Sequence, residues 1–302
     1  MIIKKIAVLK GGWSLEREIS LQSGKNVADG LRSLGFDVFE IDIRKDLMYI
    51  TNELYKINPD YIFNMLHGTG GEDGIIQGVL EIFGTPYSNS NTLSSSICFN
   101  KFVAKQIVKS CGVNIIPGVR IYKDNLKNID LDNPDIPYPF VIKPTENGSS
   151  VGVFLVFDKN DMKNIINKDW TFGDEIIIEK YIKGREFTVS VLDGNAMGSV
   201  EIVYNNKFYD FDAKYSDGGS RHLQDFDMIE EHKNKMMRMA EDVYKACYCK
   251  GIARVDFIYD QNEVFFLEIN TQPGMTKTSL VPDIAKNKGI SFENILLKMM
   301  GL

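Results

Sequence analysis

The side chains with most chemical promise lie near the C-terminus, in GIARVDFIYDQNEVFFLEINTQPGMTKTSLV, residues 251–281. Two short runs rich in β-branched and aromatic residues, ARVDFIY and VFFLEIN, flank a polar turn at 260–263 and predict a hairpin. Side chains alternate along a strand, so Arg254 and Asp256 share a face, as do Glu268 and Asn270. A turn with an odd number of unpaired residues, such as 261–263, sets Asp256 opposite Glu268 and Arg254 opposite Asn270. Two carboxylates crowded on one face of an apolar ribbon need a compensating cation. An oxygen-only donor set suits Mg2+ or Mn2+, with water and phosphate oxygens completing the shell. A solvated face bridged by Arg254 is the competing reading, and the hairpin alone leaves both open.

Four other places could do chemistry. TENGSSVG, residues 145–152, is a small-residue loop whose backbone N–H groups can approach phosphate oxygens, and Lys143 adds positive charge beside it. In EKYIKGREF, Glu179 and Glu186 flank a glycine turn and could face the amino group and ribose hydroxyls of a nucleoside; taken alone, solvated surface charge is the stronger reading. Glu16 falls in the first turn of an expected helix, where a carboxylate complements the dipole. His67 precedes a glycine, and a lone histidine is usually structural. No G-x-x-x-x-G-K-[ST] occurs, and GTGGEDG lacks the glycine spacing of a dinucleotide fingerprint.

The elements that must position these residues follow from periodicity. A strand over 5–9 ends at Gly11–Gly12, and Ser14 is placed to cap a helix whose buried face carries Leu15, Ile19, Val27, Leu31 and Leu34. Strands over 36–43 and 61–66 follow, then the glycine-rich loop 67–74 and a helix over 75–83. Strand, loop and helix in repetition argue an open parallel sheet with ligands at the carboxyl ends of its strands. The serine-rich stretch 91–96 reads as a linker. Beyond it come a helix over 100–110, strands over 139–144, 153–157 and 175–179 with a helix over 159–167, and strands over 187–192, 196–203 and 208–211. A polar loop spans 212–224, and a helix over 229–247 carries a methionine stripe that reads as core. The hairpin and a last helix over 292–300 complete the chain.

Composition narrows the class. The 302 residues suffice for two or three domains, and 44% hydrophobic with 25% charged residues is ordinary for a globular core. A net charge of −6 with no basic stripe excludes nucleic acid as the expected partner. Four cysteines without a C-x-x-C give neither a zinc motif nor a disulfide framework. No apolar run is long enough to span a membrane, and MIIKKIAVLKGG reads as a strand rather than a signal peptide; the expected location is the cytoplasm.

Taken together, GGWSLEREISLQSG, HGTGGEDGIIQG, VIKPTENGSSVGV, EKYIKGREFTV and RVDF…FLEINTQPGMTKTSLVP occur in the order found in D-alanine–D-alanine ligases, which the chain resembles over nearly its whole length. The resemblance implies a mixed α/β (α+β) protein of three-domain ATP-grasp architecture: an N-terminal open parallel sheet (1–95), a central domain (96–182) and a C-terminal domain (183–302), the last two gripping ATP. It implies that Lys101 and Lys143 contact the ATP phosphates. Glu179, Lys180, Tyr181 and Ile182 would read adenine, and Glu186 would hold the ribose. Asp256, Glu268 and Asn270 would bind two Mg2+ (or Mn2+) ions. Glu16, helped by His67, would anchor the ammonium of a first D-alanine, with Ser149 and Tyr215 bonded to Glu16 and closing a loop over the site. Lys214 would reach the γ-phosphate, Arg254 and the N–H of Gly274 would face the reacting oxygen, and Ser279 and Leu280 would receive the carboxylate of a second D-alanine. A homodimer is implied as well.

The chain departs from the family at KYSDGGSRHLQDFDM, which lacks the usual Pro-Ala step, and at Trp13, bulkier than the small residue common there. Related ligases that make the D-alanyl-D-lactate ester are expected to carry histidine in place of Tyr215, so tyrosine favours the dipeptide, while His222 nearby keeps the ester as an alternative. D-Alanyl-D-serine ligation and other ATP-grasp carboxylate–amine ligations are the remaining alternatives.

Overall fold

The computed structural model describes residues 3–168, 170–204 and 220–302. Lys214, Tyr215 and the strand expected over 208–211 lie outside the described residues. Within them the chain builds three sheets, each with its own core.

The first sheet is parallel, in the order β2-β1-β3, formed by β1 (Lys5–Gly11), β2 (Asp37–Ile43) and β3 (Tyr61–Asn64). Ile6, Ala7, Val8 and Leu9 are all fully buried, because β1 is central and covered on both faces. The helices α1 (Arg17–Ser33), α2 (Leu47–Ile57) and α3 (Ile75–Phe83) provide cover. Two details differ from expectation. Leu15 is 81% exposed, since α1 starts only at Arg17 and the preceding turn follows no helical stripe. Ser14 does not cap α1; its hydroxyl donates to the His67 carbonyl and accepts from the Glu16 N–H, tying the turn to the glycine-rich loop instead.

The stretch expected as a linker is instead the helix α4 (Thr92–Phe99). Asn91 caps it by accepting from the Ser94 N–H, and small serines let it lie flat against its neighbours. Asn100 then caps α5 (Lys101–Ser110) in the same way. A central antiparallel sheet follows, ordered β4-β7-β5-β6, from β4 (Gly118–Tyr122), β5 (Phe140–Pro144), β6 (Phe154–Val156) and β7 (Glu175–Lys180), with α6 (Lys159–Ile166) on it. The third sheet is also antiparallel, ordered β10-β9-β8-β11-β12. Its strands are β8 (Arg185–Leu192), β9 (Asn195–Tyr204), β10 (Ser220–Leu223), β11 (Ile252–Tyr259) and β12 (Val264–Asn270). Thus part of the polar loop expected over 212–224 is a strand, paired with β9. The helix α7 (Glu230–Ala246) buries Met236, Met239 and Val243 against this sheet, as the methionine stripe implied.

The C-terminal helices α8 (Leu280–Asn287) and α9 (Phe292–Met299) turn back to the first sheet. Val281, Ile295 and Leu296 join Ile6, Val27 and Phe63 in one core, and the Tyr61 hydroxyl donates to the Met299 carbonyl at 2.7 Å. Likewise Cys98, Ala104 and Val108 of α4 and α5 pack with Val255 and Phe266. The three sheets are therefore interlocked, and the loops at their meeting point are held from several sides.

Candidate active site

The hairpin pairs as expected but for a different reason. Asp256 faces Glu268 and Arg254 faces Asn270, yet Tyr259 pairs with Val264, so the turn leaves four residues unpaired. A bulge between the Asp256 and Phe257 pairs takes up Leu267 and restores the register. Asp256 is buried and held on three sides: Arg254 Nε at 2.9 Å, Arg254 Nη2 at 2.8 Å and the Thr188 hydroxyl at 2.5 Å. Of the competing reading, the Arg254 bridge to Asp256 is present, but Asp256 is buried rather than solvated. The buried Ser190 hydroxyl, the register partner of Arg254 on β8, has no partner among the described residues. Among the described residues no group of three or more His, Cys, Asp and Glu side chains is arranged to hold a metal ion. Two carboxylates, an amide oxygen and an unpartnered hydroxyl on one sheet face nevertheless fit a hard divalent cation whose remaining ligands are water and phosphate oxygens.

Two cavities meet beside this face. The larger, about 450 Å3, lies between the central and third sheets. Val141, Leu155, Ile202 and Leu267 give it apolar walls of the kind a flat base can enter, while Lys143, Glu179 and Glu186 supply charge. Lys180, Tyr181 and Ile182 line the same cavity at the crossing between the two sheets. Glu186 stands beside Tyr204, whose hydroxyl is pushed up by burial and then by that carboxylate. Glu179 is buried, and its two oxygens take the ammoniums of Lys105 and Lys143. Burial pushes the Glu179 carboxyl up, but Lys105 and Lys143 outweigh it and hold it below the usual carboxylate range.

The smaller cavity, about 150 Å3, is polar. Glu16, His67, Arg254, Gly274, Ser279 and Leu280 all line it. Glu16 accepts a hydrogen bond from the Ser149 hydroxyl at 2.5 Å. It is also pinched by two glycines: a Cβ on Gly148 would stand 2.6 Å from Glu16 Oε2, and one on Gly68 would stand 2.8 Å from it. Ser149 and Ser150 adopt left-handed φ of 53° and 59°, strain that serves to aim the Ser149 hydroxyl at Glu16. Trp13 lies on Gly70, where no Cβ has room, so the bulky residue braces the glycine-rich loop.

His67 sits between Glu72 and Ser23, each 3.2 Å from a ring nitrogen. Burial opposes its charged form, but the Glu72 hydrogen bond and charge, with Glu16 adding to them, raise its pKa. Glu72 and Ser23 were not singled out from the sequence. The 271–279 loop is fixed from the first sheet: Asn26 donates to the Met275 carbonyl at 2.7 Å, and Ser23 accepts from the Met275 N–H at 3.2 Å. Gly274 has no space for a side chain, with Ser279 Oγ 2.8 Å from any Cβ. The Ser279 hydroxyl bonds Thr276 and leaves α8 without a side-chain cap, so the first N–H groups of that helix are open to an anion.

Lys101, Asn147, Ser149 and Glu268 line both cavities. Lys101 donates to the Asn147 carbonyl at 2.5 Å and lies 3.4 Å from Glu268. His222 lines neither cavity and instead contacts Asp283 of α8 at 3.2 Å.

A family model described as D-ala D-ala ligase C-terminus matches residues 107–301. The chain is 40% identical to D-alanine–D-alanine ligase from Rhodopseudomonas palustris (strain BisB18), covering 98% of this chain and 96% of that one. Two crystal structures of D-alanine–D-alanine ligase from Bacillus anthracis, the second complexed with ATP, superpose with TM-scores of 0.85 and 0.84 at 32% and 30% identity, each covering 99% of this chain and 96% of that one. The VanG D-Ala:D-Ser ligase of Enterococcus faecalis superposes with a TM-score of 0.83 at 30% identity, covering 100% and 99%. Three interlocked sheets, two cavities with a common wall and similarity along nearly the whole chain lead to one conclusion: the chain belongs to the D-alanine–D-alanine ligase family, ATP-dependent ligases of ATP-grasp fold.

Proposed function

We propose that this protein joins two D-alanines into D-alanyl-D-alanine for peptidoglycan, with ATP in the larger cavity and the amino acids in the smaller. The observation that carries this reading is the common wall of Lys101, Asn147, Ser149 and Glu268, where a phosphoryl group in one cavity and a carboxylate in the other can meet.

A carboxylate is a poor acyl donor until its oxygen carries a good leaving group. Glu16, with His67 behind it, holds the ammonium of the first D-alanine and turns its carboxylate toward the common wall. Its oxygen attacks the terminal phosphoryl group, giving an acyl phosphate and ADP. Lys101 and Lys143 neutralise phosphate charge and align the reactants; Lys214 is assigned to the γ-phosphate. Asp256, Glu268 and Asn270 are the residues assigned to two Mg2+ (or Mn2+) ions, which when bound supply further charge neutralisation to the phosphates. The second D-alanine docks its carboxylate at Ser279 and Leu280, and its amine attacks the acyl carbon. Arg254 and the Gly274 N–H stabilise the resulting oxyanion before phosphate leaves. Tyr215 is assigned, with Ser149, to hydrogen-bonding Glu16.

The reading assigns 1–95 to the first D-alanine, and 96–182 with 183–302 to the nucleotide, a reaction of the cytoplasm. No helix among the described residues is long and apolar enough to cross a membrane. A homodimer through the N-terminal part belongs to the same reading. His222 does not favour the ester product, because its ring is turned to α8. Incubation with ATP, Mg2+, D-alanine, D-serine and D-lactate together, followed by product mass analysis, tests substrate choice. D-Alanyl-D-alanine is expected to dominate; D-alanyl-D-lactate or D-alanyl-D-serine as the main product would overturn it.

A further inference from the structure

We infer that Lys105, which lines neither cavity, is a positioning residue through which this protein tells adenine from guanine. The inference rests on the reading that adenine lies against Glu179, Lys180, Tyr181 and Ile182.

Lys101 and Lys105 stand one turn apart on α5, so one helix face delivers two ammoniums. They go to different places. Lys101 lies at the common wall of the two cavities. Lys105 is 3% exposed and sits behind the larger cavity, with its ammonium on Glu179 Oε2. The other oxygen, Oε1, takes Lys143, which does line that cavity. On the far side the Glu179 backbone is crowded by β4, where a Cβ on Gly118 would come within 2.8 Å of Glu179 Cβ. The carboxylate is therefore held between one cation that faces the ligand and one that cannot reach it.

The division matters because Lys143 has a second duty. When it turns to nucleotide oxygens, Glu179 would be left as a buried, unpaired carboxylate and would take up a proton. Lys105 prevents that, since it has no route to the ligand. An ionised carboxylate only accepts hydrogen bonds, whereas a protonated one also donates. Adenine presents an amino group at C6; guanine presents a carbonyl. Kept ionised, Glu179 accepts from the amino group and faces guanine with acceptor against acceptor. Such mismatches at buried polar groups discriminate by roughly 100-fold or more.

The charged groups facing Lys105 are Glu179 from β7, Lys143 from β5 and Glu268 from β12. Burial, the largest influence, brings its ammonium down to about 8 despite Glu179. Its charge is thus lost as pH rises past that value, while an arginine in its place would stay charged.

The test is kcat/KM for ATP and for GTP at saturating D-alanine, from pH 7 to 9.5, in wild type, K105M, K105R and E179Q. Wild type is expected to prefer ATP by roughly 100-fold or more at pH 7. K105M is expected to lower that ratio at least about tenfold and K105R to restore it, as befits a buried charged group left without its partner. Rising pH can only remove a proton from Glu179, so the K105M ratio should climb back toward wild type as pH rises, while the wild-type and K105R ratios should not decline. A folded K105M with an unchanged ratio, or a K105R no more selective than K105M, overturns the inference. E179Q separates the two levels: if it too leaves the ratio unchanged, adenine does not lie at Glu179, and the underlying reading fails. If K105M does not fold, K105Q, polar but uncharged, takes its place in the same comparison.

Discussion

The two cavities are built by different means. The larger is made from strand faces: Val141, Lys143 and Glu179 come from neighbouring strands β5 and β7, and their placement follows from register alone. The smaller is made largely from loops, with Glu16 and Gly274 both fixed against the first sheet and Ser149 coming from the central one. A site on paired strands tolerates the loss of one contact, because the backbone ladder remains. A site on loops depends on each strut. Substitutions at the common wall should disturb both, and those at loop residues only the smaller.

Glu268→Gln should have the largest effect. It removes a carboxylate that both cavities share, and kcat is expected to fall about 100- to 1000-fold with the melting temperature unchanged. Undiminished turnover would remove Glu268 from the reaction. Glu16→Gln comes next. Losing one charged, partly buried hydrogen-bonding partner is expected to raise KM for the first D-alanine about 10- to 100-fold, with KM for ATP constant; a matching rise in KM for ATP would show that the two cavities are not separable. Gly148→Ala presses a methyl to 2.6 Å from Glu16 Oε2. About a tenfold loss of D-alanine affinity is expected, and wild-type affinity would mean that Glu16 needs no such confinement. Smallest is His222→Ala, which frees one contact to α8: about a twofold rise in KM for the second D-alanine, measured at saturating first substrate. A tenfold rise there would make β10 part of the acceptor site itself.

The same contrast explains what the sequence made legible. The hairpin face was readable because strand alternation is local, and the pairing of Asp256 with Glu268 came out as expected. Its cause was not readable, since nothing in VFFLEIN marks Leu267 as the bulged residue. The serine-rich 91–96 segment was misjudged because its helix is defined by the Asn91 cap and by neighbours distant in sequence, such as the Cys249 sulfur that the Ser94 hydroxyl contacts at 3.4 Å. Leu15 was misplaced because helical periodicity was extended into a turn that serves the site. Lys105 and Glu72 escaped notice for a related reason. Lys105 meets its partner across 74 positions of sequence, and only the spacing of two lysines four apart on α5 hints at it. Glu72 sits five residues from His67 in a glycine-rich loop, whose path no periodicity gives.

The central claim is that a D-alanine carboxylate is phosphorylated at the common wall before the second amine attacks. It is tested most directly with D-alanine labelled with 18O in its carboxylate, followed by mass analysis of the phosphate released during turnover with ATP and Mg2+. Transfer of one labelled oxygen into inorganic phosphate per dipeptide formed is the expected result. Dipeptide accompanied by unlabelled phosphate would contradict the account.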